Sequence, residues 1–204
     1  MALELIDLSV TKDKHALFNV NARVEPGKVL SVLGASGSGK STLLNAVTGQ
    51  LESVFTVKGD IVLNGESIIE VPTYQRRVGV LFQDALLFEH LTVGENIEFG
   101  FRNRKNTQQS VAQLLGEVEM QDMQHRSVSS LSGGQQARVA LLRTMASEPK
   151  AMLLDEPFSK LDTQLRAKVR EWVFSTVKVQ NIPTIMVTHD AEDVDAANGD
   201  IIQL

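Results

Sequence analysis

The chain has 204 residues, 43% of them hydrophobic, enough for one sizeable core with a smaller lobe attached, and a single globular unit is expected. A net charge of −5, with no run of five or six basic residues, leaves no phosphate-neutralising face, so no nucleic acid partner is expected. There is no cysteine for disulfides or thiolate metal sites, residues 1–10 lack the basic end of a secretory signal, and no apolar run approaches the ~20 residues that cross a bilayer; a cytoplasmic chain without direct membrane insertion is expected.

In chain order, residues 3–10, 17–24 and 29–33 read as strands, the third running into a glycine-rich loop, and a helix follows over 40–48. Asn64-Gly65 after Ile61-Val62-Leu63 is a tight-turn pair, so 59–69 reads as a hairpin and 78–82 as a further strand of a small β-rich lobe. From 85 to 148 the pattern turns helical, with 102–109 as a polar connector and Pro149 closing the last helix, which describes an inserted helical lobe. Beyond Lys150 the order is strand 151–154, helix 163–180, strand 184–187 and a last strand 201–204, which favours parallel pairing through helical crossovers. Leu161, Leu165, Val169, Trp172 and Thr176 keep helical spacing, so Trp172 is expected to serve the core.

Gly34-Ala35-Ser36-Gly37-Ser38-Gly39-Lys40-Ser41 fits G-x-x-x-x-G-K-[ST] and lies between an apolar strand and a helix, as that phosphate-binding pattern requires. The glycines let backbone NH groups converge on phosphate oxygens without Cβ clashes, and the helix start adds partial positive charge. Lys40 is placed to bridge β and γ phosphates, Ser41 to offer its hydroxyl to Mg²⁺, and Thr42 to add a phosphate contact. A glycine-serine turn that merely caps a helix is the plainer reading, but the four fixed positions match by chance in a chain this long only on the order of 1% of the time. The fold class is therefore α/β: a P-loop NTPase core with a mainly parallel sheet, an N-terminal antiparallel β lobe and an inserted helical lobe.

Ala151-Met152-Leu153-Leu154 runs into Asp155-Glu156-Pro157, so two carboxylates emerge at the C-terminal end of a buried strand, the edge where open α/β sheets bind ligands. Asp155 is the candidate holder of Mg²⁺, and Glu156 the candidate that orients or deprotonates the attacking water. Alone, such a pair is more often a solvated turn; the phosphate loop changes that balance.

Leu131-Ser132-Gly133-Gly134-Gln135 resembles the signature sequence of the ATP-binding cassette (ABC) family, and the resemblance extends over essentially all 204 residues. Read alone, Ser132, Gly133 and Gly134 are an N-cap and loop starting a helix that runs to about residue 146. The resemblance implies more: with Gln135 they form a second anion-binding helix start, which in a head-to-tail homodimer closes over the ATP held by the other copy. In the family's order, Gln83 is similar to the glutamine that senses Mg²⁺ and the γ phosphate, Asp162 to the aspartate of the loop crossing the dimer interface, and His189 to the histidine that contacts the γ phosphate. Taken singly, these residues read as a strand cap, an N-cap of the long helix and a surface histidine near a carboxylate. The resemblance makes 1–204 one ABC ATPase domain, with 1–83 and 149–204 as nucleotide-binding core and β lobe and 84–148 as helical lobe.

Three positions depart from the family pattern. The stretch from Thr11 to Ala16 carries no ring to stack on adenine, His15 and Phe18 being the nearest substitutes, and Phe18 alternates with Val20 as a core residue does. Lys160 stands where alanine is commoner in the crossing loop, and Ala137 where glutamine is frequent; neither change touches an expected phosphate or metal contact. The chain stops at Leu204, ahead of the final hairpin and regulatory domain of many importer subunits, so regulation by such a domain is not expected. Residues 83–96 are similar to the same region of bacterial import subunits for small solutes and ions, where Leu86, Leu87, Phe88 and Leu91 would line a groove for a permease helix or else form the lobe's own core. The implied function is an ATP-hydrolysing importer subunit, peripheral on the inner face of the cell membrane through its permease. An export subunit and a soluble regulatory ATPase are the alternatives.

Overall fold

The computed structural model describes residues 2–13, 15–35, 37–102 and 107–204, with the backbone alone at 107–109. Two sheets organise the chain. Strands β1 (Leu3–Lys12), β2 (His15–Val24), β4 (Phe55–Leu63) and β5 (Glu66–Ser67) form an antiparallel sheet in the order β2-β1-β4-β5. Strands β3 (Val29–Leu33), β6 (Val78–Leu81), β7 (Ala151–Asp155), β8 (Thr184–Val187) and β9 (Ile201–Gln203) form a parallel sheet in the order β6-β7-β8-β3-β9. The antiparallel pairing of neighbouring strands is favoured by positive φ at Asp13 and at Asn64-Gly65, and the parallel pairing follows from helical crossovers.

The central parallel strands β3, β7 and β8 are largely apolar and buried because both their faces are covered. Leu30, Val32, Leu153, Ile185 and Val187 point into a core shared with the antiparallel sheet and with Leu43, Leu44 and Val47 of α1 (Lys40–Thr48). Met152, Leu154 and Met186 point the other way, against Val169, Val173 and Val177 of α5 (Thr163–Val179). Those valines recur every four residues, which puts them on one helical stripe; Trp172 lies beside it, half-buried, between this core and that of the helical lobe.

The lobe's own core gathers Val93 and Ile97 of α2 (Val93–Gly100), Val111 and Leu115 of α3 (Thr107–Glu117), and Val139, Leu142 and Ala146 of α4 (Gly133–Ala146). Helix α4 also sends Ala140, Leu141 and Met145 into the core beneath the sheet, so it is buried on two sides.

Three expectations are corrected. The strand at 78–82 is not part of the β-rich lobe: Val78–Leu81 pairs in parallel with Ala151–Leu154 and forms the edge of the main sheet, where Pro149 and Thr144 close on Gly79. The polar stretch 102–109 is not all connector, since α3 begins at Thr107 to bring Val111 and Leu115 onto the lobe core; its part at 103–106 lies outside the described residues. A short helix, α6 (Ala191–Ala197), follows β8, started by the Asp190 side chain accepting from Glu192 N at 2.9 Å. Among the described residues no helix is long and apolar enough to cross a membrane.

Candidate nucleotide site

The loop between β3 and α1 is shaped by close approach. A Cβ on Gly34 would sit 2.5 Å from Ser38 Oγ and 2.7 Å from Leu204 O, and Gly37 and Gly39 hold φ of 81° and 102°, a region costly for other residues. Lys40 Nζ donates to Gly34 O at 2.8 Å and to Ala35 O at 2.7 Å, so its ammonium lies along the rim of the loop. The first NH groups of α1 have no intrahelical partner by geometry and open into the same space. Ser38 Oγ is buried with no hydrogen-bond partner among the described residues, which fits a loop built to meet a ligand. Ser36 lies outside the described residues.

A cavity of about 410 Å³ joins this loop to the end of β7. It is lined by Gly37, Gly39, Lys40, Ser41 and Thr42, by Asp155 and Glu156, and by Gln83 just past β6, together with Val187, Lys12, Leu17 and Phe55. Burial, then the neighbouring Glu156 charge, push the Asp155 carboxyl above the usual range, and the Lys40 ammonium opposes them. A half-buried carboxylate in that position gains from a cation, and Ser41 and Gln83 offer neutral oxygens beside it; this donor set fits Mg²⁺, which takes one or two carboxylates and completes its shell with water and phosphate.

Glu156 leaves the strand with φ of 48°, a left-handed conformation rare for a side chain of this size, held by Glu156 N donating to Val187 O at 2.9 Å. Its Oε1 lies 3.0 Å from His189 Nδ1. The loop carrying His189 is tied to α5 by pairs not singled out from the sequence. Buried Asp193 accepts from Arg170 Nη1 at 2.9 Å and from Thr188 Oγ1 at 3.1 Å, and Asp190 accepts from Arg166 Nη1 at 2.8 Å. Arg166 and Arg170 sit four apart on α5 and Asp190 and Asp193 three apart, a charge pattern visible in the sequence once the two helices are known to face each other.

The remaining candidates stand outside this cavity. Ser132 caps α4 and Gln135 completes a capping box, with Ser132 N donating to Gln135 Oε1 at 2.9 Å and Gln135 N to Ser132 Oγ at 3.3 Å. Gly133 and Gly134 open the first turn, and a Cβ on Gly134 would lie 3.0 Å from Lys160 O of the crossing loop. Asp162 caps α5 by accepting from Leu165 N at 3.1 Å. Within one chain, therefore, Lys40, Ser41, Thr42, Gln83, Asp155, Glu156 and His189 come together, whereas Ser132, Gly133, Gly134, Gln135 and Asp162 form a separate edge, exposed at Ser132, Gly133 and Asp162 and half-buried at Gly134 and Gln135. Of the expected groove residues, Leu86 is 60% exposed, while Phe88 packs on Phe99 with centroids 4.6 Å apart and Leu87 belongs to the lobe's packing.

A parallel sheet carrying a phosphate loop and paired carboxylates at its strand ends defines a nucleotide-binding P-loop cassette. Residues 17–159 match the family described as ABC transporter. The uncharacterized ABC transporter ATP-binding protein YnjD of Escherichia coli is 44% identical over 190 residues, covering 90% of this chain and 86% of that one. The sulfate/thiosulfate import ATP-binding protein CysA of Synechocystis is 40% identical over 185 residues, covering 89% of this chain and 51% of that protein, so the chain spans about half the length of such relatives. Among solved structures, the ATP-binding cassette MJ0796, a dimer in a post-hydrolysis state bound to ADP and Pi, superposes with a TM-score of 0.82 at 27% identity, covering 99% of this chain and 94% of that one. The chain belongs to the ABC transporter family, of which it is an ATP-binding ATPase subunit.

Proposed function

We propose that the chain powers import of a small solute or ion through a transmembrane permease, as a head-to-tail homodimer with one ATP and one Mg²⁺ at each of two shared sites. The observation that carries this reading is the separation between the cavity at Lys40 and the second helix start at Ser132, two phosphate-seeking ends on a chain with one phosphate loop. In a head-to-tail pair each end meets the other copy's triphosphate, and Asp162 lies at the crossing.

In this reading the loop NH groups from Gly34 to Ser41, with Lys40 and Thr42, cradle the phosphates, and Ser41, Asp155 and Gln83 hold Mg²⁺. The metal, when bound, offsets charge on the β and γ phosphates. Glu156 orients or deprotonates the attacking water; its left-handed backbone and its contact with His189 fix the carboxylate, and His189 reaches the γ phosphate. The partner's Ser132, Gly133, Gly134 and Gln135 add donors from the opposite side, so catalysis is positioning plus electrostatics.

Residues 84–148 serve as the helical lobe and 1–83 with 149–204 as the core and β lobe, a division supported by the core that α2, α3 and one side of α4 build between them. A second cavity of about 420 Å³, lined by Tyr74, Arg77, Phe82 and Arg102 where the lobe meets β6, offers an apolar and cationic seat for a permease helix. The protein then sits on the inner face of the cell membrane through that contact. CysA relatives are named for sulfate and thiosulfate import, which supports a small-solute importer.

The reading is tested with Glu156→Gln. The variant is expected to bind ATP, to lose most phosphate release and to elute as a dimer only with ATP. Turnover equal to the parent, or a monomer in saturating ATP, overturns it.

A further inference from the structure

No ring precedes the phosphate loop between Thr11 and Ala16, and the two substitutes suggested by the sequence are unsuited. Phe18 is buried beneath the loop, its Cδ1 3.0 Å from where a Cβ on Gly39 would stand, and exposed His15 does not line the cavity. Phe55 does line it, and is the one aromatic among the described residues that do. We infer that Phe55, at the start of β4, is the surface on which the nucleotide's purine base stacks, with Lys12 and Leu17 as its flanks.

The placement follows from strand register. Lys12 at the end of β1 pairs with His15 on β2 and with Phe55 on β4, so all three lie at one end of the antiparallel sheet, the end that meets the phosphate loop. Phe55 is half-buried, its inner part packed on the core and the rest turned to the cavity, as a fixed platform needs. Lys12 Nζ stands 5.5 Å from the ring centroid, which marks a ring face open to a cationic or planar partner. A purine on that face replaces a contact between an ammonium and a ring with a stack of two rings. It leaves Lys12 beside electron-rich ring nitrogens or the sugar, while Leu17, 39% exposed, covers an edge. The cavity is continuous from Phe55 to Lys40, so a base on the ring and phosphates in the loop occupy one space.

This inference rests on the proposed nucleotide site, and its test separates the two. The parent, Phe55→Ala, Phe55→Leu, Phe55→Trp and Lys40→Ala are titrated calorimetrically with ATP and with inorganic tripolyphosphate, each with Mg²⁺. Stacking of a base on a ring is worth about 5- to 150-fold in affinity. Phe55→Ala is expected to weaken ATP binding within that range, Phe55→Leu to weaken it nearly as much, and Phe55→Trp to stay within about twofold of the parent. Tripolyphosphate affinity is expected to be equal in the parent and all three Phe55 variants. Unchanged ATP affinity in Phe55→Ala, full affinity in Phe55→Leu, or an equal loss for tripolyphosphate overturns the inference. Lys40→Ala is expected to lose both ligands; if it binds them like the parent, the phosphate site itself is wrong, whatever the Phe55 series gives.

Discussion

Replacing Asp193 by alanine tests whether the contact between Glu156 and His189 is held from behind. Asp193 is 2% exposed and accepts two hydrogen bonds, one from the Arg170 guanidinium and one from the Thr188 hydroxyl. The first is charge-assisted and worth about 1.5–3 kcal/mol, the second about 1 kcal/mol. Arg170 keeps Glu192 Oε2 at 3.2 Å, so its charge is not stranded and the loss falls short of the about 3–5 kcal/mol of a fully orphaned buried ion. A destabilisation of about 2–3 kcal/mol is expected, from a total of about 5–15 kcal/mol, which leaves the variant folded. Thr188 precedes His189 and its hydroxyl also accepts from Asp190 N at 3.1 Å, so freeing Thr188 loosens the histidine against Glu156. Turnover should fall on the order of 10- to 100-fold, as for a displaced catalytic group, while binding of labelled ATP stays close to the parent's. Urea unfolding and steady-state phosphate release measure the two effects. Stability within about 0.5 kcal/mol of the parent together with unchanged turnover would refute the reasoning.

Two further outcomes follow from buried charge. Arg76, 6% exposed, donates to the carbonyls of Ala46, Val47, Ile69 and Val71 and so ties off the C-terminal end of α1; Arg76→Met should cost about 1–3 kcal/mol in urea unfolding, and a loss below about 0.5 kcal/mol would show that water serves those carbonyls as well. Burial, then Glu156, raise the Asp155 carboxyl above its unfolded value; its contribution to stability is thus full below the unfolded pKa and is lost as pH rises through the folded one. Asp155→Asn, without nucleotide or metal, should melt higher than the parent at pH 7, with the gain vanishing below about pH 4, and should not hydrolyse ATP. A lower melting temperature at pH 7, or a gain that grows on acidification, contradicts this.

What could be read from the sequence was decided by locality. The bounds of β3, α1 and β8 are legible because their stops are local: Gly34 follows β3, Gly39 and Gly49 flank α1, and Thr188 follows β8. Strand β6 went to the wrong sheet because its partner, Ala151–Leu154, lies some seventy residues away, at Arg77 O to Lys150 N and beyond. Helix α6 has seven residues, four of them alanine or valine among acids, and shows no apolar stripe. In the candidate site, the grouping of Lys40, Ser41, Asp155 and Glu156 around one cavity could be anticipated because their types and spacing form local patterns at a strand end and a helix start. Phe55 could not, since its value depends on the register that sets it beside Lys12, and neither could Arg170 with Asp193, whose partnership needs α5 and α6 packed together.

Helix α4 presses Val139, Leu142 and Ala146 into one core and Ala140, Leu141 and Met145 into another. Cutting the chain around 84–148 would therefore bare an oily flank on both fragments, so the insertion is no portable module and could not be grafted onto a foreign cassette with its flank intact. Any tilt of the Ser132 end has to be absorbed along this shared rod, which makes the sheet side of the rod a place where distant substitutions would shift that exposed end.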